Sequence, residues 1–243
     1  MNLQEYAVWD RTTRLFHWIN VICVVMLIAP GTAILNGNRL GIENPGKILL
    51  KTLHVYVGYV FALNLIWRLV WGFVGGPYAR WRSILPFGPG YGAELKAELT
   101  AWAGDRPVNY IGHTPLGRIA VTIILLVLLA QSATGLILAG TDVYLPPLGK
   151  YFAEQVKADG LTFDQVKPYA PATVNAEAYK QMRAFRGPVA EIHETLFWVI
   201  LGLIALHVLA VVTTELRHGG TLVSAMITGR KAFRSAPRDL PPR

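Results

Sequence analysis

His193-Glu194-Thr195-Leu196-Phe197-Trp198-Val199-Ile200-Leu201-Gly202-Leu203-Ile204-Ala205-Leu206-His207 is the stretch that decides the architecture of this chain. Two histidines bracket one apolar helical run. Fourteen residues are almost four turns, so both imidazoles leave the same face, separated by roughly 21 Å along the axis. The hydrocarbon core of a bilayer is roughly 30 Å thick. One helix therefore offers a nitrogen ligand near each membrane face.

Composition supports a membrane setting. Of 243 residues, 53% are hydrophobic and 16% charged, against about a quarter charged in a soluble domain. Four stretches, about 15–36, 52–74, 115–139 and 192–214, approach the ~20 residues a spanning helix needs. The expected fold is an all-α membrane protein, a four-transmembrane-helix bundle over residues 1–218 with a basic tail at 219–243. The formal charge of +8 does not indicate a nucleic-acid partner, because basic residues cluster at membrane edges. Arg11 and Arg14 precede the first span, Arg80, Arg82, Lys96 and Arg106 separate the second and third, and Arg217, Arg230, Lys231, Arg234, Arg238 and Arg243 follow the fourth. In the outer loop 140–191, acidic residues balance the basic ones. The positive-inside rule then places both termini in the cytoplasm, even though Arg39, Lys47 and Lys51 lie in the first outer loop.

Cys23, the single cysteine, permits no internal disulfide, and no CxxC zinc site or CxxCH haem-attachment site is present. The first span resembles a signal peptide but carries His17, so it reads as a retained anchor. Asn36-Gly37-Asn38 and Gly75-Gly76-Pro77 end the first two spans, and Pro30 suggests a kink in the first. Trp67, Trp71, Tyr78 and Trp81 read as an interfacial belt. Short helices are expected near 93–99 and 150–158. The third span, without histidine, reads as the purest lipid-facing segment, and the tail as partly disordered.

An ionisable side chain within a span is a functional hypothesis by default. A single one could be an ordinary interhelical hydrogen bond, but four stand at matching depths. His17 and His207 lie in the cytoplasmic half, and His54 and His193 near the outer face. Each pair can supply both axial ligands of a haem iron, leaving no open position, which suits electron transfer. Two non-covalent, bis-histidine b haems would be stacked across the membrane. A zinc site needs about four ligands in one place, and a proton relay would be expected to include a central carboxylate, which the spans lack. Gly31, fourteen residues after His17, lets a macrocycle approach at the depth of the other haem. Gly58 and Gly202 serve either that purpose or helix packing. Arg68, fourteen after His54, either pairs with a propionate of the inner haem or snorkels to the interface. His113 and His218 read as interfacial, with His113 a reserve contact for haem.

Val8-Trp9-Asp10-Arg11-Thr12-Thr13-Arg14-Leu15-Phe16-His17-Trp18 resembles the start of bacterial b-type cytochromes of the cytochrome b561 and nickel–iron hydrogenase cytochrome-subunit superfamily. So do Leu53-His54-Val55-Tyr56-Val57-Gly58-Tyr59, the segment Arg68–Gly75, and His193-Glu194 with His207. The resemblance covers residues 6–76 and 113–218. It implies a diheme protein of the bacterial inner membrane that exchanges electrons with quinone, with His17, His54, His193 and His207 as axial ligands. The long loop 140–191 implies a periplasmic redox partner, either a hydrogenase or a c-type cytochrome. Lipid is the remaining partner, and a homo-oligomer is left open.

Electrons entering at the outer haem must leave at the inner one, so quinone is expected near the cytoplasmic end of the first span. Arg14 is the first choice to stabilise charge developing on a quinone carbonyl, with Trp18 and Arg217 close by. Interfacial anchoring explains all three equally. No residue is assigned a catalytic role. Two other functions compete: a stand-alone oxidoreductase passing electrons from superoxide or another small donor to quinone, using Lys47 and Lys51 in an outer cationic pocket, and a haem-free anchor or transporter.

Overall fold

The computed structural model describes residues 3–104, 108–218, 222–233 and 235–240. Arg106, Arg234 and Arg243, and the side chains of Arg217 and His218, lie outside the described residues. The elements in chain order are β1 (Gln4–Ala7), α1 (Arg11–Leu35), α2 (Asn44–Val74), α3 (Trp81–Ile84), α4 (Tyr91–Ala103), α5 (Pro115–Val143), α6 (Gly149–Val156), α7 (Ala176–His218), α8 (Leu222–Thr228) and β2 (Arg230–Phe233).

Helices α1, α2, α5 and α7 are long and apolar enough to cross a membrane. In their most apolar windows only 6% of α1, 11% of α5 and 6% of α7 is buried, against 33% of α2. Apolar side chains such as Ile22, Val25, Leu126, Leu206 and Leu209 stay uncovered, as expected where lipid is the solvent and helices need no hydrophobic reason to hide them. Pro30 does not interrupt α1.

Two of these helices begin earlier than hydropathy suggests. Asn44-Pro45 opens α2 eight residues before the expected start, with proline in the first turn, where its missing N–H costs nothing. The side chain of Asn175 accepts the backbone N–H groups of Glu177 and Ala178, both at 3.1 Å, and this N-cap starts α7 sixteen residues early. Lys180, Arg183 and Arg186 lower the hydropathy there without lowering helix propensity. At 43 residues, α7 is about 65 Å long, well beyond the roughly 30 Å that hydrocarbon can cover.

The chain divides into two compact units, each drawing a segment from all four long helices. The first comprises Met1–Trp18, Leu65–Val127 and Ile200–Arg243. Here β1 pairs antiparallel with β2, Gln4 opposite Phe233 and Ala7 opposite Arg230, which joins a segment near the start of the chain to one near its end. Val8, Trp9, Ile111 and Ala225 form a buried cluster beneath them. Asp239 accepts Ile111 N–H at 2.6 Å and Gly112 N–H at 2.8 Å. The expectation of a partly disordered tail thus does not hold over 222–233. Those residues fold because their apolar side chains find the Trp9 cluster, a tertiary contact that composition does not reveal.

The aromatic belt also differs in part from the expectation. Trp71 donates to the Asp10 carboxylate at 3.1 Å, and Trp81 lies where a Cβ on Gly72 would sit. Both indoles are therefore packed into protein.

The second unit comprises Ile19–Asn64 and Leu128–Val199. Its small core joins α6 to the start of α7 through Ala153, Val156, Val166 and Met182. Asn64, buried in α2, donates to Asn20 of α1 at 3.0 Å, a polar tie between the two helices.

Candidate haem-binding sites

In the second unit, the His54 and His193 rings lie with centroids 6.3 Å apart and planes at 73°. A metal–imidazole nitrogen bond is about 2.0–2.1 Å, and the ring centre lies roughly an ångström further on. Two imidazoles on opposite sides of one metal ion would therefore have centres about 6 Å apart, in line with the spacing observed. A methyl group added to Gly31 would lie 3.4 Å from His54 Cε1, and one on Gly135 would lie 3.2 Å from His193 Cε1. Each histidine is thus seated against the bare backbone of a neighbouring helix, α1 for His54 and α5 for His193.

His193 has further support from α5. The Thr134 hydroxyl donates to the Ala130 carbonyl at 3.0 Å and lies 2.9 Å from His193 Nδ1. With its hydrogen so placed, the hydroxyl oxygen accepts from Nδ1–H. That tautomer leaves Nε2 with a lone pair for a metal. Gln131 Nε2 lies 3.1 Å from that nitrogen and donates to it in this structure. The third span is therefore not purely lipid-facing. Its contribution could have been read from Gln131, Ser132 and Thr134, three polar residues inside an apolar run.

The first unit holds His17 and His207, near enough to interact electrostatically. His17 Nδ1 is buried with no hydrogen-bond partner among the described residues, and so are His113 Nδ1 and Arg68 Nη1. Arg68 is 4% exposed. Its Nη2 donates to the Ala79 carbonyl at 3.0 Å, and its guanidinium lies over the Phe16 and Trp81 rings. It does not snorkel to the interface. Unsatisfied buried donors of this kind are costly unless a further group meets them.

His113 belongs to this same unit, its ring 4.8 Å from that of Trp9. Burial, followed by the nearby charges of Lys231, Arg68 and Arg118, holds its pKa down to about 3, so the imidazole is neutral at physiological pH. Lys231, in the tail strand, donates to the Gly112 carbonyl at 3.0 Å and the Tyr110 carbonyl at 3.3 Å. Burial lowers its pKa to about 8. Nothing in the local sequence marks Lys231, because its burial comes from the pairing of β2 with β1.

Arg14 Nη1 donates to the Ile227 carbonyl, and Trp18 Nε1 to the Met226 carbonyl at 2.9 Å. Both side chains therefore cap the end of α8, while Arg14 Nε is buried without a partner among the described residues. A methyl group added to Gly58 or to Gly202 would meet nothing within 4 Å. Among the described residues, no three His, Cys, Asp or Glu side chains gather as a metal-ion site. His54 and His193 stand as a pair, a donor set that suits haem rather than a bare ion. With glycines against His54 and His193 and buried, unpartnered polar atoms on His17, His54 and Arg68 among the described residues, the residues fit haem.

A family model described as prokaryotic cytochrome b561 matches residues 8–229. A probable Ni/Fe-hydrogenase B-type cytochrome subunit of Cupriavidus necator is 24% identical over 240 residues, covering 96% of this chain and 89% of that protein. Its counterpart in Rhizobium leguminosarum is 25% identical, with 95% and 90% covered. The probable Ni/Fe-hydrogenase 1 B-type cytochrome subunit of Escherichia coli K12 is 23% identical, with 96% and 93% covered. No solved structure matches the chain significantly. The match spans all four membrane helices and all four paired histidines, and the chain is a multi-pass bacterial membrane protein belonging to the prokaryotic cytochrome b561 family.

Proposed function

We propose that this chain is an inner-membrane diheme cytochrome b that passes electrons between a periplasmic redox partner and the quinone pool. His54 with His193 and His17 with His207 are the axial ligands in this reading. The observation that carries it is the 6.3 Å separation of the His54 and His193 rings, each against a glycine. When bound, the two b haems would supply one-electron transfer across the membrane, with no open coordination position for oxygen.

The protein's own groups orient and insulate. Thr134 fixes the tautomer of His193, and Gly31 and Gly135 leave room beside the ligands. Arg68 offers an unpaired N–H to a propionate of the inner haem. Both termini lie on one side, and the positive-inside rule makes that side the cytoplasm. The relatives' description makes a nickel–iron hydrogenase the favoured partner, docking on the outer segment between α5 and α7. Quinone then binds near Arg14, where its reduction takes protons from the cytoplasm. Lys47 donates to Asn38, and Lys51 to Asp142.

Co-purification from the native membrane tests the assignment of partner. A hydrogenase retained by the tagged chain, with hydrogen reducing its haem in the isolated complex, is the expected result. A complex that holds only a c-type cytochrome would replace the hydrogenase with the other partner.

A further inference from the structure

Three charged side chains stand on the outer side of the His54–His193 pair, one on each of three helices. Lys51 precedes His54 by three residues on α2, Arg186 precedes His193 by seven on α7, and Asp142 follows Gly135 by seven on α5. Spacings of three and seven return to the same helix face. Each charged group therefore shares a face with the residue that builds the outer site, and all belong to the same unit. Asp142 accepts from Lys51 Nζ and from Arg186 Nε and Nη2, the last at 2.8 Å. The Lys51, Asp142 and Arg186 side chains are 16%, 11% and 23% exposed.

As a brace between helices this cluster is unbalanced. Two cations share one carboxylate, and a poorly solvated net charge is costly without a partner. Lys51 has three donors and commits one to Asp142, while lying 5.4 Å from the centre of the Tyr169 ring. Arg186 commits Nε and Nη2, leaving Nη1 without a described hydrogen bond. The cluster has donors and charge for one more carboxylate.

We propose that Lys51 and Arg186 bind a propionate of the outer haem, with Asp142 a positioning residue that holds the two cations together. This rests on His54 and His193 being the ligands of that haem. The charges match: a ferric haem with neutral imidazoles carries one positive charge at its core and two negative ones on its propionates, and the cluster's single excess cation neutralises the remainder. A guanidinium fork and an ammonium are both suited to a carboxylate in a poorly solvated site.

The test uses the full-length protein in detergent, as wild type and in a His207→Leu background that isolates the outer haem. Lys51→Met and Arg186→Leu should each lower the outer haem's midpoint potential, because a nearby cation favours the reduced form. Asp142→Asn should raise it. The propionate deformation band in resonance Raman should shift in the Lys51 and Arg186 variants and return with Lys51→Arg. A potential that moves while this band stays fixed would mean a through-space charge effect and overturn the contact. Two haems with unchanged potentials and band would overturn the proposal alone. Wild-type protein lacking a bis-histidine haem at His54 and His193 would overturn the functional reading and this proposal together.

Discussion

Gly135 is the position where the account is most exposed to a single substitution. A methyl group there would lie 3.2 Å from His193 Cε1, a few tenths of an ångström inside ordinary contact. The imidazole can yield by that amount, so Gly135→Ala should retain two haems per chain but change the g values of the outer one, which depend on ring orientation. Alanine also gains about 1 kcal/mol of helix propensity over glycine, so the protein should be no less stable to heat. Leucine cannot be accommodated by so small a shift. Gly135→Leu should displace His193 and halve the haem content, leaving the inner haem's spectrum intact. Pyridine haemochrome analysis, electron paramagnetic resonance and thermal unfolding of detergent-purified protein read all three quantities. Two haems in folded Gly135→Leu, with unaltered g values, would refute the placement of the outer macrocycle between His54 and His193.

Other expectations follow from the same geometry. His17→Leu and His207→Leu should abolish the same haem; if His17→Leu instead matched His193→Leu, the pairing by depth would be wrong. Arg14→Leu should slow quinone reduction while leaving both haem spectra intact. Unchanged quinone kinetics would remove Arg14 from the site. Asp10 caps α1 through Thr13 N–H at 2.7 Å and also accepts from Trp71 and Gly76. Burial disfavours its carboxylate, but these hydrogen bonds together prevail and hold its pKa below the usual 3.8. Its stabilisation is thus present above pH 3.8 and lost as pH falls through the lower, folded value. Asp10→Ala should cost about 0.5–2 kcal/mol at neutral pH. In thermal unfolding its deficit should shrink below pH 3.8, and a deficit constant with pH would rule out the charged cap.

Much of this is legible in the sequence because a bilayer simplifies the code. Long apolar runs locate all four spanning helices, and the fourteen-residue spacing of His193 and His207 places two imidazoles on one helix face without any structure. The same spacing points to Gly31, which does lie against His54. The helix starts at Asn44 and Ala176 escape hydropathy, which measures contact with lipid, whereas an Asn cap and good helix formers extend a helix into water. Thr134 and Gly135 escape it too, because a span without histidine reads as lipid-facing. Lys231, the tail strand and the Lys51–Asp142–Arg186 cluster depend on contacts between residues distant in sequence, which no local pattern encodes.

Haem stoichiometry combined with low-temperature electron paramagnetic resonance tests most directly whether this chain holds two bis-histidine haems. The purified wild-type protein should hold two b haems per chain, both low-spin with two imidazole ligands. His54→Leu and His193→Leu should each leave the same single low-spin haem. One haem in the wild type, or a high-spin iron with an open position, would contradict the account.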